Sequence, residues 1–143
     1  MTSFFGDWLY GNDAENTGLP AIVGHWTYAK LTSSYERHGS ETPMTFWYED
    51  WLTPQVLVYA DGNFRVVIYG STVGTLVQIG RHEFLATNLV HSSEGETWQS
   101  EYEHWFRYDP ESGLLRYTWF TNSYSGRYIH YYFKRDSNVQ VRK

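Results

Sequence analysis

The chain reads as an all-β protein, a single antiparallel up-and-down β-barrel of eight or nine strands, and three observations lead there. Thirteen tyrosines, eight phenylalanines and seven tryptophans make up a fifth of the 143 residues, and they fall on alternate positions of short runs. Turn signals separate those runs, among them Asp61-Gly62, Gly80-Arg81, Ser93-Glu94-Gly95, Asp109-Pro110-Glu111-Ser112-Gly113 and Ser125-Gly126. No helical periodicity of three turns follows Pro20. A period of two places successive side chains on opposite faces of a pleated strand. A meander this long has two edges to hide, and closure removes both, which favours a barrel over a two-sheet sandwich.

Residues 1–20 stand apart as an N-terminal arm or plug. Phe4, Phe5, Trp8 and Leu9 suit one short helical turn, and Gly11 to Gly18 reads as a loop closed by Pro20. The barrel domain spans 21–136, with a tail at 137–143. Its expected strands are Ala21–Leu31, Met44–Leu52, Gln55–Ala60, Asn63–Gly70, Thr72–Ile79, Glu83–Ser92, Thr97–Tyr108, Leu114–Tyr124 and Arg127–Arg135.

Bulk properties narrow the functions. The formal charge is −5, and the 11 basic residues form no stripe that could neutralise phosphates, so neither nucleic acid nor an anionic membrane surface is an expected partner. The absence of cysteine removes disulfides, thiolate chemistry and Cys-based metal sites. No signal peptide and no apolar stretch of about 20 residues is visible, so the expectation is a soluble, cytoplasmic protein.

The C-terminal strands permit a register. The loop from Asp109 to Gly113 suits a type I turn with glycine in the left-handed position, setting Asp109 opposite Leu114, Phe106 opposite Tyr117 and His104 opposite Trp119. A two-residue turn at Ser125-Gly126 sets Thr121 opposite His130, Trp119 opposite Tyr132 and Ser123 opposite Tyr128. One face then carries Trp98, Tyr102, His104, Phe106, Tyr117, Trp119, Tyr128, His130 and Tyr132, and this face is expected to be the interior. The other carries Gln99, Glu101, Glu103, Arg107, Arg116, Asn122, Arg127 and Arg135, together with Trp105, Phe120, Tyr131 and Phe133. Those four outer aromatics imply burial against something, either a second copy in a homodimer or the N-terminal arm. A slip of one residue would exchange the faces; the gathering of ionic residues on one side decides the choice.

Buried tyrosine, tryptophan and histidine carry polar tips that need partners, so an interior built of them points to a cavity holding a ligand or water. His104 and His130 are candidate acid–base groups, and Tyr102 and Tyr132 candidate phenol donors to a carbonyl or enolate oxygen. Trp26, Trp98, Phe106, Tyr117, Trp119 and Tyr128 would shape the pocket. No metal motif, His-x-His pair, nucleophilic triad, phosphate loop or dinucleotide fingerprint is present, so no cofactor is expected.

The Gly24-His25-Trp26 element, the apolar arm before it and the meander ending in Tyr131-Tyr132-Phe133-Lys134-Arg135 resemble the lipocalin-like (calycin) barrels. In that superfamily a Gly-x-Trp opens the first strand and a basic residue of the last strand packs on the tryptophan; Arg135 and Lys134 are the nearest matches. Barrels of this shape include cofactor-free cyclases of natural-product pathways and phenolic acid decarboxylases. The resemblance implies a hydrophobic pocket with a few polar groups and carries over no catalytic residue.

The expected function is therefore binding of a hydrophobic, unsaturated or aromatic small molecule in the barrel interior. Catalysis by confinement, as a cofactor-free cyclase or isomerase, needs no activated side chain, because near-attack geometry alone contributes about 7–11 kcal/mol. A non-catalytic carrier or sensor would share every visible feature. An interaction module working through the outer aromatics would hold no ligand.

Overall fold

The computed structural model describes residues 18–45, 53–100, 102–121 and 126–136. One short helix, α1 (Gly18–Ile22), precedes ten strands: β1 (Gly24–Ser34), β2 (Thr42–Met44), β3 (Gln55–Val58), β4 (Asn63–Ile68), β5 (Gly70–Gln78), β6 (Glu83–Ser93), β7 (Glu96–Gln99), β8 (His104–Asp109), β9 (Leu114–Thr121) and β10 (Arg127–Arg135). All pairings are antiparallel, and β10 returns to pair with β1. Eight strands thus close a barrel compatible with the calycin-like shape. The remaining two are side pairings: β2 lies on the upper half of β1, and β7 on the upper half of β6.

The sequence had one continuous strand over 97–108, and the structure breaks it. Glu94 and Gly95 both take positive φ, 52° and 84°, the conformation that twists a two-residue hairpin tightly. That turn folds β7 back on residues 90–93 of β6, while residues 83–86 of β6 pair with β8 instead. Residues 46–52 of the expected Met44–Leu52 strand lie outside the described residues, as does the helical turn expected near Phe4. Pro20 sits in the first turn of α1, where its missing N–H costs no helical hydrogen bond.

The register of β8 on β9 is as expected: His104 opposite Trp119, Phe106 opposite Tyr117 and Asp109 opposite Leu114. The turn between them holds Asp109 as acceptor for the Glu111 N–H (3.0 Å) and the Ser112 hydroxyl (2.8 Å), with Gly113 at φ 73°. The register of β10 on β9 differs by three residues. Thr121 pairs with Arg127 and Thr118 with His130, in place of the expected pairing of Thr121 with His130. An odd shift turns every side chain over. Ile129, Tyr131 and Phe133 face inward, whereas Tyr128, His130 and Tyr132 face out. The outer aromatic group is correspondingly Trp105, Phe120 and Tyr128, with the Arg37 guanidinium 4.6 Å above the Trp105 ring.

One end of the barrel is solid. Ile22, Trp26, Val56, Val58, Phe64, Phe84, Phe106, Leu115 and Phe133 are buried there almost completely. Trp26 closes it: its indole N–H donates to the Ile22 carbonyl (2.9 Å), and its ring meets Tyr108 edge-on. Of the two basic candidates on the last strand, Arg135 is the one that packs on the tryptophan, 4.3 Å from the ring. Its guanidinium donates to the Val23 and Ala21 carbonyls at 2.7 and 2.5 Å, satisfying groups that α1 leaves open. Gly24 makes room for this. Its φ is 142°, and a Cβ there would stand 2.7 Å from Arg135 Nη1. Gly74 has a similar part at the bulge of β5, where a Cβ would lie 2.5 Å from the Thr87 carbonyl and 3.0 Å from the Phe64 ring.

Among the described residues, no helix is long and apolar enough to cross a membrane. Gly24→Ala should destabilise the barrel by about 1–3 kcal/mol, since it combines a strained φ with displacement of Arg135. Denaturant unfolding checks this, and a wild-type midpoint would contradict it.

Candidate functional site

The other half of the barrel is hollow. A cavity of about 440 Å³ opens at the end opposite Trp26. Its walls come from the upper ends of β4, β5, β6, β8 and β9, from the middle of β10, and from β7, which stands at the mouth. Trp98 and Tyr102 form part of the rim and are half exposed, at 51% and 46%. Tyr69 joins them with φ 69°, a left-handed conformation that a bulky residue seldom takes.

One wall is a ladder of rings. The planes of His104 and Trp119 lie within 24° of each other, and those of Trp119 and Tyr131 within 17° at a centroid distance of 5.1 Å. Phe133 continues the ladder below Tyr131. Register builds this surface, because with Ile129 opposite Trp119, Tyr131 on β10 shares the inward face with Trp119 on β9. Val66 and Ile68 supply aliphatic surface from β4.

The polar groups form a single strip. His104 Nδ1 and the Tyr117 hydroxyl are in hydrogen-bond contact. Thr72 Oγ1 meets His91 Nδ1 at 2.6 Å, and Ser100 Oγ lies 3.4 Å from His104 Nε2. The two imidazole rings are 5.5 Å apart. Burial drives His104 down to about 3, assisted by the neighbouring His91, and burial also lowers His91. Burial pushes the Tyr117 phenol well above the usual tyrosine range. The strip is therefore neutral at pH 7. It can donate and accept hydrogen bonds, but His104 is a weak base and Tyr117 a weak acid. Among the described residues, no three His, Asp or Glu side chains are placed to hold a metal ion.

The expected site residues divide accordingly. Trp98, Tyr102, His104, Tyr117 and Trp119 line the cavity. Phe106 lies one layer beneath, against Phe64 and Tyr117. Trp26 belongs to the plug and not to the pocket. Tyr128, His130 and Tyr132, expected inside, are on the outer wall because of the three-residue shift of β10. Thr72, His91 and Tyr131 complete the strip and the ladder. Alternation within β5 and β6 could have placed the first two inside, and the turn signal at Ser93-Glu94-Gly95 marks the β6–β7 hairpin that brings His91 to the mouth, but the register was drawn only for the C-terminal strands.

His130 and Tyr132 nevertheless occupy an ordered setting, under the segment that links β1 to β2. The Ser34 hydroxyl donates to the Glu36 carbonyl (2.5 Å) and so accepts from His130 Nε2 (2.7 Å), while Thr118 donates to Nδ1 (2.7 Å). Both ring nitrogens are thus satisfied in the neutral form, and burial with Arg116 nearby lowers His130 to about 4. Glu41 ties the segment down through the Thr32 and Tyr132 hydroxyls, at 2.5 and 2.7 Å. Burial and that carboxylate raise the Tyr132 phenol to about 12. Comparison with known protein families, with curated proteins and with solved structures finds no match.

His104 and His130 are depressed in the folded state, so unfolding takes up protons below the ordinary histidine value of 6.5. Stability is full above about 6.5 and is lost as pH falls towards about 4 for His130 and about 3 for His104, by up to about 1.4 kcal/mol per pH unit for each ring. Denaturant unfolding at about pH 7.5 and about pH 4.5 reads this loss. His104→Phe should remove its share of the slope, and an unchanged slope would contradict the assignment.

Proposed function

We propose that the barrel is a binding chamber for one flat, unsaturated or aromatic small molecule carrying a hydrogen-bonding oxygen. The single observation behind this is the pairing of an open cavity of about 440 Å³ with a ladder of near-parallel rings along one wall. The volume falls within the roughly 300–1,000 Å³ of small-molecule sites. A ladder of this kind offers offset stacking to a planar π-system, whereas a branched aliphatic ligand would touch it poorly. The strip of Thr72, His91, His104 and Tyr117 then orients a carbonyl or hydroxyl group. Its neutrality favours an uncharged ligand, since a charged one would lose its water without gaining a counter-charge.

Catalysis is the second reading, and the closed floor favours it. A flexible chain entering past Trp98 cannot leave through the plug at Trp26, so it folds back on itself against the ring wall. That is the confinement a cofactor-free cyclase or isomerase uses, with His104 or Tyr117 polarising a carbonyl without titrating. The packing of Arg135 on Trp26 beside Gly24 supports placing the chain near the lipocalin-like barrels. It is equally at home in a carrier.

Diphenylhexatriene, an uncharged polyene fluorophore, tests the chamber. A saturable fluorescence rise with one probe per chain is expected, and Trp119→Ala should weaken it about tenfold through loss of the stacking surface. Absence of saturable binding, or equal binding by Trp119→Ala, would overturn the proposal. Product analysis after incubation with a linear polyene ketone separates the readings: rearrangement supports an enzyme, and unchanged recovery of bound ketone supports a carrier.

A further inference from the structure

A second cavity, of about 410 Å³, lies outside the barrel wall and shares no lining residue with the first. Arg107 on β8 and Arg116 on β9 both border it, and they stand directly opposite each other in the strand ladder. Like charges in that position repel and destabilise a sheet unless something neutralises them. What lies between them is not a carboxylate. Arg116 Nη2 and Arg107 Nη1 both approach His38 Nδ1, at 3.1 and 3.4 Å. That nitrogen accepts and therefore carries no proton, while His38 Nε2 faces Glu83 at 3.1 Å. Burial and the surrounding arginines lower His38, in keeping with a neutral ring.

The nearby carboxylates are occupied. Glu83 is paired with Arg37, and Glu41 accepts from Thr32 and Tyr132 and forms a long ion pair, 3.4 Å, with Arg116. Asp109 is engaged in its own turn. Among the described residues, Arg107 makes no ion pair. Arg116 is only 8% exposed, and its Nε is buried with no hydrogen-bond partner among the described residues; His82 Nδ1, on the same cavity, is in the same condition. Two guanidinium groups, one unmatched buried donor at Arg116 Nε and one unmatched imidazole nitrogen at His82 thus surround a space whose remaining surface includes the apolar parts of Tyr108, Pro110 and Leu114.

We propose that this cavity binds a small organic monocarboxylate, its oxygens accepting from Arg107 and Arg116 alongside His38 and its short apolar body against Tyr108, Pro110 and Leu114. A carboxylate accepts from a guanidinium in a charge-assisted, often two-point geometry, and would relieve the repulsion between the two arginines. The Asp109 carboxylate on the rim selects for a single negative charge, because a dianion such as phosphate would meet it at close quarters. The occupant enters from the outer face, so the site works independently of the barrel chamber.

Butyrate titrated into the full chain tests the site, with butyramide as the uncharged control and inorganic phosphate as the dianion. The readouts are the arginine Nε–H and tryptophan indole N–H resonances. Saturable butyrate shifts are expected at Arg116 Nε–H with the Trp119 indole unmoved, and butyramide should produce none. Arg107→Gln, an exposed position whose replacement leaves the core intact, should weaken butyrate about tenfold through loss of one charge-assisted contact. The proposal is overturned if butyrate gives no saturable shift, if butyramide matches it, if phosphate binds more tightly, if the shifts fall on Trp119, or if Arg107→Gln binds as wild type.

Discussion

The register in which β10 meets its two neighbours decides what this molecule has inside and what it has outside. With Tyr131 opposite Tyr117, the strand closes the barrel by presenting Ile129, Tyr131 and Phe133 to the interior and Tyr128, His130 and Tyr132 to the outer wall. This arrangement brings Trp119 and Tyr131 together in the ring ladder of the cavity. It also buries His130, whose ring nitrogens are matched by two hydroxyls, from Ser34 on β1 and Thr118 on β9. The histidine is thereby a three-strand fastening at the seam of the barrel, and the Trp26–Arg135 contact is its counterpart at the solid end. Closure is held at both ends by groups whose hydrogen bonds are made within the protein, which is the condition for burying polar atoms without penalty.

The same physics separates the two kinds of polar surface. Inside, burial keeps His91, His104 and Tyr117 uncharged, and their hydrogen bonds run along one strip of an otherwise aromatic wall. Outside, Arg107 and Arg116 border the second cavity, and the segment between β1 and β2 is tied down by Glu41 and by the pairing of Glu83 with Arg37. A neutral chamber and a positively charged outer recess on one small barrel suit ligands of different character. Neither depends on a strongly activated side chain. Recognition and confinement are the chemistry proposed for this scaffold.

Much of this was legible in the sequence, for identifiable reasons. Turn chemistry fixed β8 against β9, because the loop from Asp109 to Gly113 has an aspartate acceptor at its start and a left-handed glycine at its end. The glycine before Trp26 and the basic residue on the last strand marked the plug. The register of β10 was not legible. Both faces of that strand are aromatic, so alternation does not choose between them, and no glycine-and-aspartate turn precedes it. The ionic residues that guided the choice, Arg127 and Arg135, have the parity of the interior but stand at the two ends of the strand. There the side chains leave the barrel, Arg135 over Trp26 and Arg127 towards Ser33 and Tyr35. Charge at a strand end says little about which face is buried. The strand over 97–108 failed differently, since strand propensity continues across 100–103 although the pairing with β6 is interrupted there, β7 meeting residues 90–93 and β8 residues 83–86.

Cross-strand nuclear Overhauser contacts between β9 and β10 test the account most directly, since a shift of that pairing would exchange the two faces of β10. Backbone contacts between Tyr117 and Tyr131 and between Trp119 and Ile129 are the predicted result. Contacts between Trp119 and Tyr132 would place His130 in the interior, dismantle the ring ladder and contradict the chamber described.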